Sequence, residues 1–194
     1  MKQDIKRKII SAAIRLIEGK ESRPEDITVR DICKEAGVGL SQINYHFQTK
    51  ENLIAQCIQV MIGDVIGAVP RTLSMLKEAS AAATLKKMML NTLNYLYANE
   101  NISRISILTD HQNASRGDNT EQTVDVYLPM VEAVCRERGI PDDPKILTTL
   151  MILDMQGMFL RTDVLKETLG IDLRSESGRK QLIDNYVESA FRQV

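Results

Sequence analysis

The stretch GVGLSQINYHFQTKENL, residues 37–53, carries the reading of this chain. Gly37 and Gly39 bracket Val38, a short polar run comes next, and Tyr45, His46 and Phe47 stand in succession before Thr49, Lys50 and a new apolar segment. Phe, Tyr and Trp make up only 4% of the chain, so three neighbouring rings require a reason. Spacing supplies it. Ile43 and Phe47 are four apart and share one face of a helix, while Leu40, Ser41, Gln42, Asn44 and Tyr45 fall on the outer faces. A short helix starting near Leu40 or Ser41 therefore buries Ile43 and Phe47 and leaves Tyr45 and His46 at its rim.

Outward from this stretch the signals stay helical. Upstream, Thr28 reads as an N-cap with Asp31 three residues on, a variant of the capping box. Val29, Ile32, Cys33 and Ala36 lie on one face of the second helix, and Gly37, able to take positive φ, ends it. Downstream, Thr49 caps a fourth helix carrying Leu53, Ile54, Cys57, Ile58 and Met61. At the N-terminus, Ile5, Ile9, Ala12, Ala13, Leu16 and Ile17 form an apolar stripe on a first helix, with Lys6, Arg7 and Arg15 off it and Gly19 at its end. Residues 19–26, containing Pro24, read as a loop.

Two short helices joined by a glycine-containing turn, the second polar outside, form the pattern of a helix-turn-helix. A major groove about 12 Å wide admits such a helix. Gln42 and Asn44 are able to bond base edges in two-point fashion, and Ser41 suits either edge type. Tyr45, His46, Thr49 and Lys50, with the amides opening the fourth helix, are suited to phosphates, as is Thr28 at the start of the second helix.

The remainder is longer helix. Pro70 interrupts or begins a segment, and helices are expected at about 71–79, 83–97, 102–112, 120–138, 143–168 and 176–192. Gly139-Ile-Pro-Asp-Asp-Pro is a helix-to-helix turn, with Asp142 or Asp143 capping the next helix. No strand alternation, repeat or low-complexity segment occurs. The expected fold is all-α: a three-helix head, residues 1–47, joined through a helix starting near 50 to a larger helical domain, residues 48–194.

The charge is unevenly spread. The net value is −1 for 194 residues, but residues 1–50 hold ten Lys/Arg and seven Asp/Glu, against fifteen and nineteen in the rest. The head is thus +3 and the body −4, which suits a modest phosphate-binding surface on the head. No apolar run approaches the roughly 18–20 residues needed to span a bilayer, and no secretory core opens the chain, so a cytoplasmic protein with no membrane partner is expected. Three cysteines, Cys33, Cys57 and Cys135, form no C-x-x-C pair, so no zinc site or disulfide framework is expected. Reduced, mostly buried thiols are the plain reading, with redox sensing the alternative.

The run ITVRDICKEAGVGLSQINYHFQTKENLI resembles the DNA-binding head of the tetracycline-repressor (TetR-like) family. The matching residues are Thr28, Ile32, Ala36, Gly37, Val38, Ile43, His46, Phe47, Lys50, Glu51 and Leu53, within about residues 5–58. The chain departs from the family at Gly39, where Ser or Thr is common, and at Asn44, where Tyr is common. The resemblance implies a homodimeric transcription factor, usually a repressor released from its twofold DNA operator by a small effector. It implies that Arg30, Leu40, Ser41, Gln42 and Asn44 face bases and that Thr28, Tyr45, His46 and Lys50 face the backbone.

It also implies a dimer interface built by the last two long helices. Leu147, Leu150, Met151, Met158, Leu182, Tyr186, Val187 and Phe191 are its candidates, an internal core being the alternative. Gly157 would permit close helix approach. An effector pocket among the central helices would draw on Met88, Leu93, Tyr97, Leu108, His111, Tyr127, Met130 and Met155. Plain core is the alternative, because methionine fills either. Such a pocket is apolar and suits a hydrophobic or amphipathic effector. No H-E-x-x-H, P-loop, G-x-S-x-G or G-x-G-x-x-G occurs, so neither catalysis, a cofactor nor a metal is expected. An architectural DNA protein, or a ligand-binding scaffold whose head has lost DNA, are the rival readings.

Overall fold

The computed structural model describes residues 2–19, 27–73 and 80–192, and these are all-α, with ten helices and no strand among them. The chain divides into two compact units, Met1–Asp64 and Val65–Val194.

In the first unit, α1 (Lys2–Gly19), α2 (Val29–Ala36), α3 (Leu40–Phe47) and the start of α4 (Lys50–Leu73) surround one core. Ile9, Ala12, Ala13 and Ile17 of α1 are buried, as are Ile32, Ala36, Ile43, Phe47, Leu53 and Ile58 of the other three. Local chemistry sets the boundaries. Thr28 accepts the Asp31 amide while the Asp31 carboxylate accepts the Thr28 amide at 3.1 Å, which completes the capping box. Gly37 ends α2 with φ +60°, a conformation most side chains resist. Thr49 Oγ1 accepts the Asn52 amide and caps α4. The helix then runs through Pro70 to Leu73. The loop expected at residues 19–26 and the helix expected at 71–79 fall largely outside the described residues.

The second unit holds α5 (Ala81–Ala98), α6 (Glu100–Gln112), α7 (Asn119–Arg138), α8 (Pro144–Leu160), α9 (Thr162–Leu169) and α10 (Glu176–Ala190). Its core joins Leu85, Met88, Met89 and Leu93 to Tyr127, Val131, Met151, Met155, Ile183, Val187 and Phe191. Gly139 closes α7 in the left-handed region, and Asp143 caps α8 ahead of Pro144. One expected helix is two. The segment 143–168 breaks at Arg161, because Thr162 turns its hydroxyl onto the Phe159 carbonyl at 2.7 Å and shares a second bond with the Tyr97 hydroxyl. No described helix is long and apolar enough to cross a membrane.

Candidate nucleic-acid interface and effector site

The face of α3 is built by exclusion. Ile43 and Phe47 are sealed in the head core, and Lys6 rests its ammonium 5.7 Å from the Phe47 ring centroid. What remains outside is one contiguous face: Leu40 is 54% and Tyr45 65% exposed, with Ser41 and Asn44 exposed beside them. Gln42 and His46 sit half-buried at its margins. The Tyr45 and His46 rings meet nearly perpendicular, with centroids 5.0 Å apart, on the rim. Arg30 and Thr28 are exposed at the start of α2, and Lys50 is half-buried in the first turn of α4.

The turn from α3 to α4 holds a feature that spacing did not signal. Gln48 takes φ +65° and ψ −53°, and the Thr49 amide donates to the Phe47 carbonyl at 2.7 Å. That is a tight three-residue turn of the strained, positive-φ kind. It is the one non-glycine with positive φ among the described residues. It brings the N-terminal end of α4, where helix amides favour anions, directly after the exposed face of α3. A glutamine carries no turn signal, so only the shortness of the α3–α4 junction could have hinted at it.

In the body, Met88, Leu93, Tyr127 and Met155 do come together in one apolar cluster, with Met130 packed against it. The Tyr127 hydroxyl shares a 2.6 Å hydrogen bond with Thr92, and burial pushes its pKa up. Tyr97 stands edge-on to Phe159 at 5.2 Å. Leu108 and His111 do not join them: α6 turns Ser103, Ser106, Ile107 and Asp110 inward, which leaves positions 108 and 111 exposed.

The interface candidates also divide. Met151, Val187 and Phe191 lie in the chain's own core and offer no surface to a partner. Leu150 is 53% exposed, while Leu147, Met158, Leu182 and Tyr186 are half-buried. Exposed beside Leu150 are Ile146 and Leu153, at i, i+4 and i+7 of one α8 stripe, and open space faces Gly157 one turn on. Tyr186 ties α10 to the same helix by donating to Asp154 at 3.0 Å. Among the described residues no group of three or more His, Cys, Asp or Glu is placed to hold a metal.

A sealed three-helix head whose third helix is polar outside has the form of a helix-turn-helix. The comparisons with known proteins agree. The model of the family described as bacterial regulatory proteins, tetR family, matches residues 9–57. The whole chain shares its fold with the transcriptional regulator FadR of Bacillus subtilis in complex with stearoyl-CoA, at 16% identity and TM-score 0.58 over 97% of this chain and 98% of that one. It does so equally with a TetR transcription regulator from Haloarcula marismortui, at 16% identity and TM-score 0.59 over 96% and 98%. A third structure, concerned with the control of antibiotic production by bacterial hormones, is 14% identical with TM-score 0.59 over 96% and 97%. No curated protein matches the chain. Residues 9–57 thus match the tetR family of bacterial regulatory proteins, and the chain as a whole has the fold of the regulators above.

Proposed function

We propose that this protein is a homodimeric repressor that holds a twofold operator and leaves it when a small effector binds the body. The exposed polar face of α3 carries this reading, because its outward side chains contribute nothing to the head core and are of the types that read base edges. Arg30, Leu40, Ser41, Gln42 and Asn44 face bases, and Thr28, Tyr45, His46 and Lys50 face phosphates. Residues 1–47 read DNA, and residues 48–194 bind the effector and dimerise. The protein works in the cytoplasm and performs no catalysis.

Dimerisation rests on the α8 stripe. Ile146, Leu150 and Leu153 are large apolar residues in one exposed row, which a second copy would cover through α8 and α10. Two heads then meet half-sites one or more DNA turns apart, about 34–36 Å per turn. The effector acts through α4, which contains the boundary between the two units. A coupling of about 1–3 kcal/mol weakens DNA binding about 5–150-fold. The body's cluster of methionines suits an effector with an apolar part, and the structural relative FadR is a complex with stearoyl-CoA. Footprinting of the full chain on the DNA upstream of its own gene tests the proposal. A protected site with twofold symmetry is expected, and uniform protection or none would overturn it.

A further inference from the structure

The buried face of α6 is polar where a core helix is ordinarily apolar. Ser103, Ser106 and Asp110 are buried, and the first turn of α7 meets Ser106 and Asp110. The Asp110 carboxylate accepts the Thr120 amide at 2.8 Å and the Thr120 hydroxyl at 2.7 Å. Asn119 donates its side-chain amide to Ser106 at 3.1 Å. From α8, Gln156 donates its amide to Thr120 Oγ1 at 2.9 Å. The direction of this chain is fixed. A carboxylate only accepts, so the Thr120 proton goes to Asp110, and Thr120 Oγ1 is left to accept from Gln156.

The Gln156 amide is therefore oriented with its carbonyl Oε1 turned elsewhere, and that oxygen has no partner. Gln156 is only 9% exposed. Ser103, on the same face of α6 and 1% exposed, has a hydroxyl with no partner either. The other buried polar side chains show how unusual this is. The Thr148 and Thr162 hydroxyls donate to carbonyls of their own helix or the one before it, and the Arg179 guanidinium donates to Asn94, Leu173 and Arg174. Buried polar atoms left without partners destabilise a fold, and a leucine or methionine at 156 would avoid that. Arg104, next to Ser103, ties α6 to α8 by donating to the Leu160 carbonyl and lying over the Phe159 ring, and Asp110 reaches the same helix through Thr120 and Gln156, so a polar seam joins α6 to α8. Phe159, edge-on to Tyr97, stands one helical turn beyond Gln156.

We infer that this seam reads the polar head of a neutral effector, one with a hydroxyl or amide N–H on an apolar body. The Gln156 carbonyl accepts from that head and the Ser103 hydroxyl completes the pair. Asp110, two hydrogen bonds from Gln156, sets a negative charge behind them and disfavours a carboxylate or phosphate head. The inference rests on the proposed effector-responsive reading and deepens it by naming the chemistry the effector presents.

Calorimetric titration of the full chain with decan-1-ol and with decanoate separates the two head groups at equal chain length. The alcohol is expected to bind at least about tenfold more tightly. Ser103→Ala and Gln156→Leu each weaken the alcohol about three- to tenfold, the contribution of one buried hydrogen bond, and leave decanoate unchanged. Ser103→Ala keeps the wild-type melting temperature or raises it, because it removes an unmet hydroxyl, so its loss of binding is not a loss of fold. Decanoate binding as well as the alcohol, both variants weakening the two probes alike, or neither probe binding up to its solubility limit overturns the inference. Anisotropy on operator DNA with the same preparations keeps the two readings apart. Selective alcohol binding without DNA binding sinks the repressor and leaves the site. DNA binding without alcohol binding does the reverse.

Discussion

Tyr45 and Phe47 stand two positions apart and have opposite fates. Phe47 is sealed in the head, and Tyr45 presents most of its ring to the outside. The helical repeat makes that division, so this part of the site was legible from spacing alone. The roles on the exposed face separate by chemistry. With Lys50 on a phosphate as proposed, Lys50→Ala is expected to weaken binding to every sequence and to flatten the salt slope by about one unit. Gln42→Ala costs about 1–3 kcal/mol at particular base pairs and little on random DNA. Anisotropy on cognate and scrambled duplexes checks both, and identical behaviour of the two variants would remove α3 from the reading role. The cysteines give a second residue-scale outcome. Cys57 is buried and its thiol is pushed up to about 12 by desolvation, and burial raises Cys135 as well. A raised thiol stays protonated near neutral pH and is a poor nucleophile. Labelling of the folded protein at pH 8 with a thiol reagent is therefore expected to modify half-buried Cys33 first, and rapid loss of all three thiols would contradict the packing.

At the scale of elements, what was legible depended on whether the signal was local. The starts of α2 and α4 and the end of α2 come from Thr28 with Asp31, from Thr49 and from Gly37, each acting within a few residues of itself. The break between α8 and α9 was not legible, because Thr162 bonds Tyr97, 65 positions away. The two faces of α8 were not separable either. Its apolar residues run around the helix, so spacing alone could not tell core Met151 from exposed Leu150. On α6, Ser103, Ser106 and Asp110 have the composition of a solvated face, and only packing shows that they point inward. Gly178 shows the same dependence. It stands in the first turn of α10, where a glycine reads as a weak point, yet a Cβ there would collide with the Asp172 backbone carbonyl. Gly178→Ala is expected to cost about 1–3 kcal/mol, read as a lower urea midpoint with an unchanged slope. Wild-type stability would show that the loop before α10 does not pack against it.

For the whole molecule, the proposed function requires two heads, and the exposed stripe of α8 is the surface proposed to pair them. Leu150→Glu places a charge in the middle of that row without touching the core beneath it. The variant is expected to sediment as a folded monomer with a wild-type helical signal and to lose affinity for a two-half-site operator by more than about tenfold, because each head then binds alone. A variant that remains dimeric would move the interface to another face. The fold class and the head were legible before any coordinates. The polar seam was not, and neither was the side of α8 left open, since both are settled by contacts between helices far apart in sequence.

The central claim, that this chain reads a particular DNA sequence, is tested most directly by equilibrium anisotropy of the full chain on its footprinted site and on a scrambled duplex, across a salt series. The account predicts a preference of at least about a thousandfold for the footprinted site, and affinity that falls steeply with salt on both duplexes. Equal affinity for the two duplexes at every salt concentration would contradict it.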